Sequence, residues 1–467
     1  MRYVSTRGAA PPLGFTDVLL AGLARDGGLY VPERWPAFST ADWSSLTGAA
    51  YADLAARILA PFMTGDRAAD DPLAAILRDA YAGFSSPAVT PLVQIGPNDW
   101  ILELFHGPTF AFKDLAMQVL GRMMDRALAA RDQRVTVVGA TSGDTGSAAI
   151  EAFAARERAD IFILHPKGRV SDTQRKQMTT VNAPNVFNIA LEGTFDDAQA
   201  LVKAMFNDLP FRDGLALAGV NSINWARVMA QIPYYAAAAL ALGGPARPVA
   251  FAVPTGNFGD ILAGFCAKRM GLPVAGLTIA TNVNDILVRC LATGRYQCET
   301  VTPTQSPSMD IQVSSNFERL IFEATGRDGG IVRGLLDGLA QSGAFELPGA
   351  ALARIRAEFS AVRVDEAMTT DTIRAVYKDT GLVIDPHTAV GVAAARARKS
   401  APEVPMVALA TAHPAKFAPA VARAIGRAPE LPPKLAALAD LPERLTVLPN
   451  DLATVQRFIK ERSRVHP

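Results

Sequence analysis

Arg134-Val135-Thr136-Val137-Val138-Gly139-Ala140-Thr141-Ser142-Gly143-Asp144-Thr145-Gly146 decides the fold. A short β-branched run ends in a Gly-rich loop, and an Ala-rich stretch from Ser147 to about Arg156 follows. That order predicts a strand, a loop and a helix in succession. The succession recurs along the chain. Ile161-Phe162-Ile163-Leu164 predicts a strand with a polar helix behind it. Val249-Ala250-Phe251-Ala252-Val253 leads into Pro254 to Asp260 and then a helix over Ile261 to Met270, and Met406-Val407-Ala408-Leu409-Ala410 is again a buried type of strand. Apolar strands alternating with helices imply an α/β fold whose mostly parallel sheets are covered on both faces. Such sheets hold ligands beyond the carboxyl ends of their strands, so the loops that directly follow strands are the ones to examine.

Outward from this region, the first part of the chain has a different texture. Ala49 to Leu59 and Pro72 to Tyr81 predict helices, and Ser85-Ser86-Pro87 with Pro91 interrupts them with consecutive turn formers. We expect an N-terminal domain over 1–95 and a larger region over 96–467, because 467 residues exceed what one simple core organises. The balance of 49% hydrophobic and 19% charged residues is that of a globular chain. A net charge of +1 gives no reason to expect nucleic acid or an anionic membrane as partner. The apolar stretch Tyr234 to Leu242 is too short to span a bilayer, and MRYVSTRGAA lacks the pattern of a signal peptide, so a cytoplasmic location is expected. Cys266, Cys290 and Cys298 are too few for a disulfide scaffold. Neither they nor His106, His165, His387, His413 and His466 show metal-ligand spacing, so no metal is expected.

Lysine usage is informative. Only ten of the 46 basic residues are lysines, and none precedes Lys113. Arg cannot replace Lys as a nucleophilic amine, because its guanidinium stays protonated. Lys113 stands in Leu104-Phe105-His106-Gly107-Pro108-Thr109-Phe110-Ala111-Phe112-Lys113-Asp114, among three phenylalanines and just before a helix predicted over Leu115 to Ala127. An apolar surround lowers the amine pKa and suits a Schiff-base nucleophile. A snorkelling lysine that covers aromatic surface fits the same residues.

Three other segments carry polar groups to one point. Ala140 to Gly146 places two glycines and three hydroxyl residues between a strand and a helix, which suits an anion nest, and equally a plain turn. No Lys follows Gly146, so it is not a P-loop. Pro254-Thr255-Gly256-Asn257-Phe258-Gly259-Asp260 is a second such loop and lacks the third glycine and downstream acid of a dinucleotide fingerprint. Asn221-Ser222-Ile223-Asn224-Trp225-Ala226-Arg227 clusters amide, hydroxyl and guanidinium, and Arg227 could clamp a phosphate in bidentate fashion. A helix cap followed by a surface arginine accounts for that segment as well.

Taken together, these segments resemble the threonine synthase family, from Met1-Arg2-Tyr3-Val4-Ser5-Thr6-Arg7-Gly8 to Thr411-Ala412-His413-Pro414-Ala415-Lys416-Phe417. Gly107 to Asp114 is the most specific match, and the N-terminal unit is similar to the longer, fungal and enterobacterial-like form. The resemblance implies the tryptophan-synthase-β fold, that of fold type II pyridoxal-phosphate enzymes, with two α/β lobes, the cofactor between them and an added N-terminal domain. It implies that Lys113 binds pyridoxal 5'-phosphate covalently and then acts as the proton shuttle. Gly256, Asn257, Phe258, Gly259 and Asp260 would hold the cofactor phosphate, Thr411 would face the pyridine nitrogen, and Asp144 would lie at the cofactor's rim. Shorter relatives carry Asn at that place, which can donate to the cofactor's phenolate oxygen where an ionised Asp cannot. Ser142, Gly143 and Thr145 would meet the substrate carboxylate, and Asn221, Ser222 and Arg227 its phosphate.

The implied reaction converts O-phospho-L-homoserine and water to L-threonine and phosphate, by a monomer or homodimer. Asp385-Pro386-His387 and Ser308-Met309-Asp310-Ile311 also fit the family pattern, without a role that the residues alone define. The alternatives are a serine or threonine dehydratase or a cysteine synthase of the same fold, a binding protein that keeps the cleft without turnover, and an unrelated phosphate-binding α/β protein. The Asn221 to Arg227 clamp speaks against the first group, whose substrates carry no second phosphate.

Overall fold

A computed structural model describes residues 1–65, 73–219, 221–398 and 401–465. Two parallel sheets dominate it. The larger sheet runs in the order Phe359–Arg363, Val274–Thr281, Val249–Pro254, Met406–Ala410, Asp99–Glu103 and Leu92–Gln94, with only the last pair antiparallel. The smaller one runs Thr446–Pro449, Val186–Glu192, Ala159–Pro166, Val135–Ala140 and Leu217–Ala218, parallel throughout. Every residue of Val249–Pro254, Ala159–Pro166 and Met406–Ala410 is buried, as strands covered by helices on both faces must be. The expected α/β fold of the fold type II kind, with two lobes and an N-terminal domain, is what forms.

Several helices begin earlier than the sequence predicts. The helix of the Lys113 segment spans Lys113–Ala130, that after the first Gly-rich loop spans Asp144–Phe153, and that after the second spans Gly259–Arg269. In each the chain turns directly into the helix, and the preceding residue (Phe112, Gly143 or Phe258) caps it without a side-chain hydrogen bond. These helix N-termini gather where the strands end. The Lys113 and Asp144 helices also pack closely against each other. A methyl group on Gly121 would lie 2.5 Å from the Ala152 carbonyl oxygen, so glycine sets their spacing.

The N-terminal residues form a strand pair, Tyr3–Ser5 with Tyr30–Pro32, and helices that include Tyr51–Met63 and Leu73–Tyr81. Tyr51–Met63 runs four residues beyond the predicted Leu59 and takes Pro61 into its last turn, because Phe62 and Met63 continue its buried face. Pro72, the first residue of the other predicted helix, lies outside the described residues. This region packs on Trp225, whose indole is fully buried against Tyr3, Trp35 and Phe62 with ring centroids 5.8–6.1 Å away. Removing such a side chain would cost about 3–5 kcal/mol. Asn224 donates from Nδ2 to the Leu19 carbonyl at 2.9 Å, and Arg319 donates to the carbonyls of Tyr30 and Ile223. The N-terminal region thus buttresses the Asn221 to Arg227 segment from behind.

Candidate active site

A cleft of about 1510 Å³ opens at the carboxyl ends of the strands. Lys113, Asp144, Arg227, the Gly256 to Asp260 loop and Thr411 all line it, although they come from widely separated parts of the chain. The volume exceeds that of an ordinary small-ligand pocket, so a cofactor and a substrate fit together.

Lys113 reaches the cleft because its segment is sewn to the strand Met406–Ala410. Leu104 N–H donates to Ala410 O, Phe112 N–H to Thr411 O at 2.8 Å, and His413 N–H to Phe110 O at 3.1 Å. Asp114 closes the turn from below, accepting from the Thr109 N–H at 2.8 Å and the Thr109 hydroxyl at 2.6 Å. Burial pushes the Asp114 carboxyl up to about 6 against those two bonds. The Lys113 ammonium lies 5.6 Å from the Phe112 ring centroid. Its pKa is lowered to about 8, first by burial and then by the cations Arg227 and Lys416, with Asp144 acting the other way. An amine of that pKa is partly uncharged near neutrality, as a nucleophile and base requires.

Asp144 lies between two lysines of the cleft region. Its Oδ1 accepts from Lys416 Nζ at 2.7 Å and from Gln174 Nε2 at 2.8 Å, and its Oδ2 stands 4.0 Å from Lys113 Nζ. Burial would raise its pKa, but Lys416 and Lys113 outweigh that and hold it well below the usual carboxylate range. The loop before it is less of an anion nest than its residues suggest. The Thr141 hydroxyl accepts from the N–H groups of Gly143 and Gly146 at 3.0 and 2.9 Å, which removes two of the loop's donors. Ser142 and Thr145 line the cleft, whereas Gly143 is buried behind them against the Gln174 side chain.

The second Gly-rich loop is the stronger anion cradle. Ser314 donates to the Gly256 carbonyl at 2.6 Å, and Asn316 donates to the Asn257 carbonyl from its N–H and from Nδ2, both at 3.0 Å. The N–H groups of Gly256 to Asp260 donate to no protein acceptor among the described residues. With the carbonyls tied back and the N–H groups left over at a helix N-terminus, the loop fits a phosphate. A Cβ on Gly256 would lie 2.8 Å from the Ser308 carbonyl oxygen, so the cradle has no room for a larger residue. Phe258 takes the left-handed conformation at φ 63°, held by the edge-to-face packing of its buried ring on Phe317. Such a backbone costs about 1–2 kcal/mol for a non-glycine residue, a cost that persists where a site needs the geometry. Asp260 follows in the first helical turn. Tyr234 and Tyr235 both donate hydroxyls to its Oδ1, and burial still pushes its carboxyl up to about 6.

Arg227 lies in the short helix Trp225–Met229, which Asn224 caps by accepting from the Ala226 N–H at 3.0 Å. The guanidinium is buried rather than on the surface, and burial lowers its pKa to about 10. It remains a cation at neutral pH, facing the same cleft as Asn221 and Ser222.

Two motifs without an assigned role meet each other. The Ser308 N–H donates to His387 Nε2 at 3.2 Å, and His387 Nδ1 lies 2.7 Å from Asp385 Oδ2, so the imidazole steadies the Pro307–Met309 turn at the cleft wall. His106 instead pairs with Glu103 at 2.8 Å and, with His413, lines a separate cavity. Among the described residues no group of His, Cys, Asp and Glu could hold a metal ion, and His466 lies outside them. No helix among them is long and apolar enough to cross a membrane. Lys416 is the residue that sequence reasoning missed. The scarcity of lysine was the available signal, since Lys416 stands in the Thr411 to Phe417 segment.

Comparison with known proteins agrees with this geometry. Residues 2–81 match the threonine synthase N terminus, 86–338 the pyridoxal-phosphate dependent enzyme family and 388–459 the threonine synthase C-terminal family. Threonine synthase of Pseudomonas aeruginosa is 54% identical over 99% of this chain and 98% of that protein. The Saccharomyces cerevisiae threonine synthase is 40% identical over 98% of this chain and 97% of its own length. The crystal structure of pyridoxal-phosphate-bound threonine synthase from Brucella melitensis superimposes with a TM-score of 0.96 at 56% identity, covering 99% of this chain and 100% of that one. By its sequence, its architecture and the cleft they build, the chain belongs to the threonine synthase family.

Proposed function

We propose a division of labour among the cleft residues for a pyridoxal-phosphate enzyme that makes L-threonine and inorganic phosphate from O-phospho-L-homoserine and water. The Gly256 to Asp260 loop holds the cofactor's phosphate through its backbone N–H groups; the observation behind this is the set of unengaged donors beside a Gly256 that admits no side chain. Lys113 is the covalent anchor and, once released, the base and acid at the substrate's Cα and Cβ. When bound, the cofactor supplies an electron sink for the negative charge that develops at those carbons. Thr411, whose carbonyl accepts from the Phe112 N–H next to Lys113 and which lines the cleft, would offer its hydroxyl to the cofactor's ring nitrogen.

The substrate is held at two ends. Ser142 and Thr145 offer hydroxyls to its carboxylate, and Gly143 fixes the turn that presents them. Arg227, Asn221 and Ser222 receive its phosphate, and the guanidinium stabilises charge as the phosphate leaves from Cγ. The observation that carries this role is that Arg227 lines the cleft together with Asn221 and Ser222 and stays charged at neutral pH, so that its guanidinium can take a phosphate in bidentate fashion. The experiment is Arg227→Ala. Loss of one such donor costs about 3 kcal/mol in the transition state, roughly a hundredfold in kcat/KM. Cofactor affinity is expected to stay near that of the wild type, and equal loss of both would move Arg227 out of the substrate-phosphate role.

The chain divides on this reading into an N-terminal domain over 1–95 and a catalytic region over 96–467, working in the cytoplasm as a monomer or homodimer. Cys266 and Cys290, whose thiols burial pushes well above their ordinary value, suit a compartment that keeps thiols reduced.

A further inference from the structure

The mechanism leaves one buried cation without a task. The Lys416 side chain has no exposed surface, and its Nζ donates to Asp144 Oδ1 at 2.7 Å and to the Thr109 carbonyl at 2.8 Å. On the other side of the same carboxylate, Lys113 Nζ stands 4.0 Å from Oδ2. Asp144 is therefore shared unequally, with the short contact to Lys416 and the long one to Lys113. Gln174 adds a second donor to Oδ1, which holds the carboxylate toward Lys416. The peptide at Thr109 is tied as well, because Gln177 Nε2 donates to the same carbonyl at 2.9 Å while the Thr109 side chain binds Asp114 beside Lys113.

Resting on the reading of Lys113 as the cofactor lysine, we infer that Lys416 is a positioning residue. It neutralises Asp144 and holds it back from a close ion pair with Lys113, so that the Lys113 amine stays available. The charged groups that face Lys113 are Asp144, Arg227, Lys416 and Asp114. Without Lys416, the Asp144 charge falls on Lys113 alone, and an opposite charge within 4–6 Å raises an amine's pKa by about 1 unit or more. Without Asp144, the cations Arg227 and Lys416 are left facing Lys113 and its pKa falls. Without either, the two effects cancel, and replacing a whole buried ion pair by neutral side chains is often tolerated.

The test uses the cofactor-free full-length chain and reads the rate of pyridoxal phosphate uptake by absorbance as a function of pH. The site-specific signal is the one absent from Lys113→Ala; if that variant keeps the signal, the reading of Lys113 itself fails. For Lys416→Met the midpoint is expected to rise by about one pH unit, which makes uptake about tenfold slower near neutrality. Asp144→Asn is expected to shift the midpoint downward, and the double variant to return within about half a unit of the wild type. A merely structural Lys416 would reduce stability without shifts of opposite sign. Midpoints that stay put, or that move in one direction in both single variants, overturn the inference. Should Lys416→Met fail to fold, Asp144→Asn and the double variant decide the matter. A higher midpoint in the double variant supports the role, and identical midpoints overturn it.

Discussion

Gly256→Ala isolates the phosphate cradle from every other part of the cleft. Gly256 has no left-handed φ, so alanine is conformationally acceptable there and the added methyl acts by contact alone. That Cβ would stand 2.8 Å from the Ser308 carbonyl oxygen, closer than van der Waals contact allows. The carbonyl cannot yield easily. It belongs to the Pro307–Met309 turn, whose Ser308 N–H is bonded to His387, and His387 is held by Asp385. The loop must therefore open, which turns its N–H groups away from their common point. Overpacking of this kind costs about 1–3 kcal/mol. Binding the phosphate requires the loop to close again, so the cost appears as roughly a 5- to 150-fold weaker cofactor. The assay is a titration of the cofactor-free variant with pyridoxal phosphate, followed by absorbance, beside a thermal melt that reports folding. A folded variant that binds within about twofold of the wild type refutes the cradle.

Other expectations follow from the same geometry. With Lys113 lowered to about 8, cofactor uptake by the wild type should be half-maximal near pH 8 rather than near its ordinary value of 10.5. The sign extends to stability. Between those two values the unfolded chain binds the extra proton, so the cofactor-free protein gains stability from Lys113 as pH rises from about 8 to 10.5, a slope that Lys113→Met should lack in urea melts. Lys113→Ala should abolish turnover and the yellow colour of the purified protein while leaving it folded by circular dichroism. Trp225→Ala should lose about 3–5 kcal/mol in denaturant titrations, because it empties the contact between the N-terminal region and the Arg227 helix.

How much of this was legible in the sequence depends on whether the signal was local. Val249–Pro254 and Met406–Ala410 are continuous apolar runs, and strands buried on both faces read that way. The helix starts at the cleft were misplaced by up to three residues because their caps carry no side-chain signal. Ser39, Thr194 and Asp385 cap other helices with the usual side-chain acceptor, whereas Phe112, Gly143 and Phe258 do not. After Phe258 the loop N–H groups are left without a protein acceptor among the described residues, and a capping side chain would have occupied one of them. Val186–Glu192 is obscured by Asn188, whose buried amide donates to the carbonyls of Met178 and Arg444, a partner from the end of the chain. The Lys416–Asp144 pair was illegible for the same reason: an ion pair between distant segments exists only once both lobes have folded. The Thr141 hydroxyl's capture of two loop donors likewise follows from a turn geometry that composition does not specify.

The most direct measurement incubates the cofactor-loaded chain with O-phospho-L-homoserine, and separately with L-serine and L-threonine, and quantifies phosphate, threonine and keto acid in each. The account predicts equimolar phosphate and L-threonine from the first substrate, with little keto acid from the other two and nothing from the Lys113→Ala variant. Phosphate without threonine, or faster deamination of serine or threonine than use of the phosphorylated substrate, would contradict it.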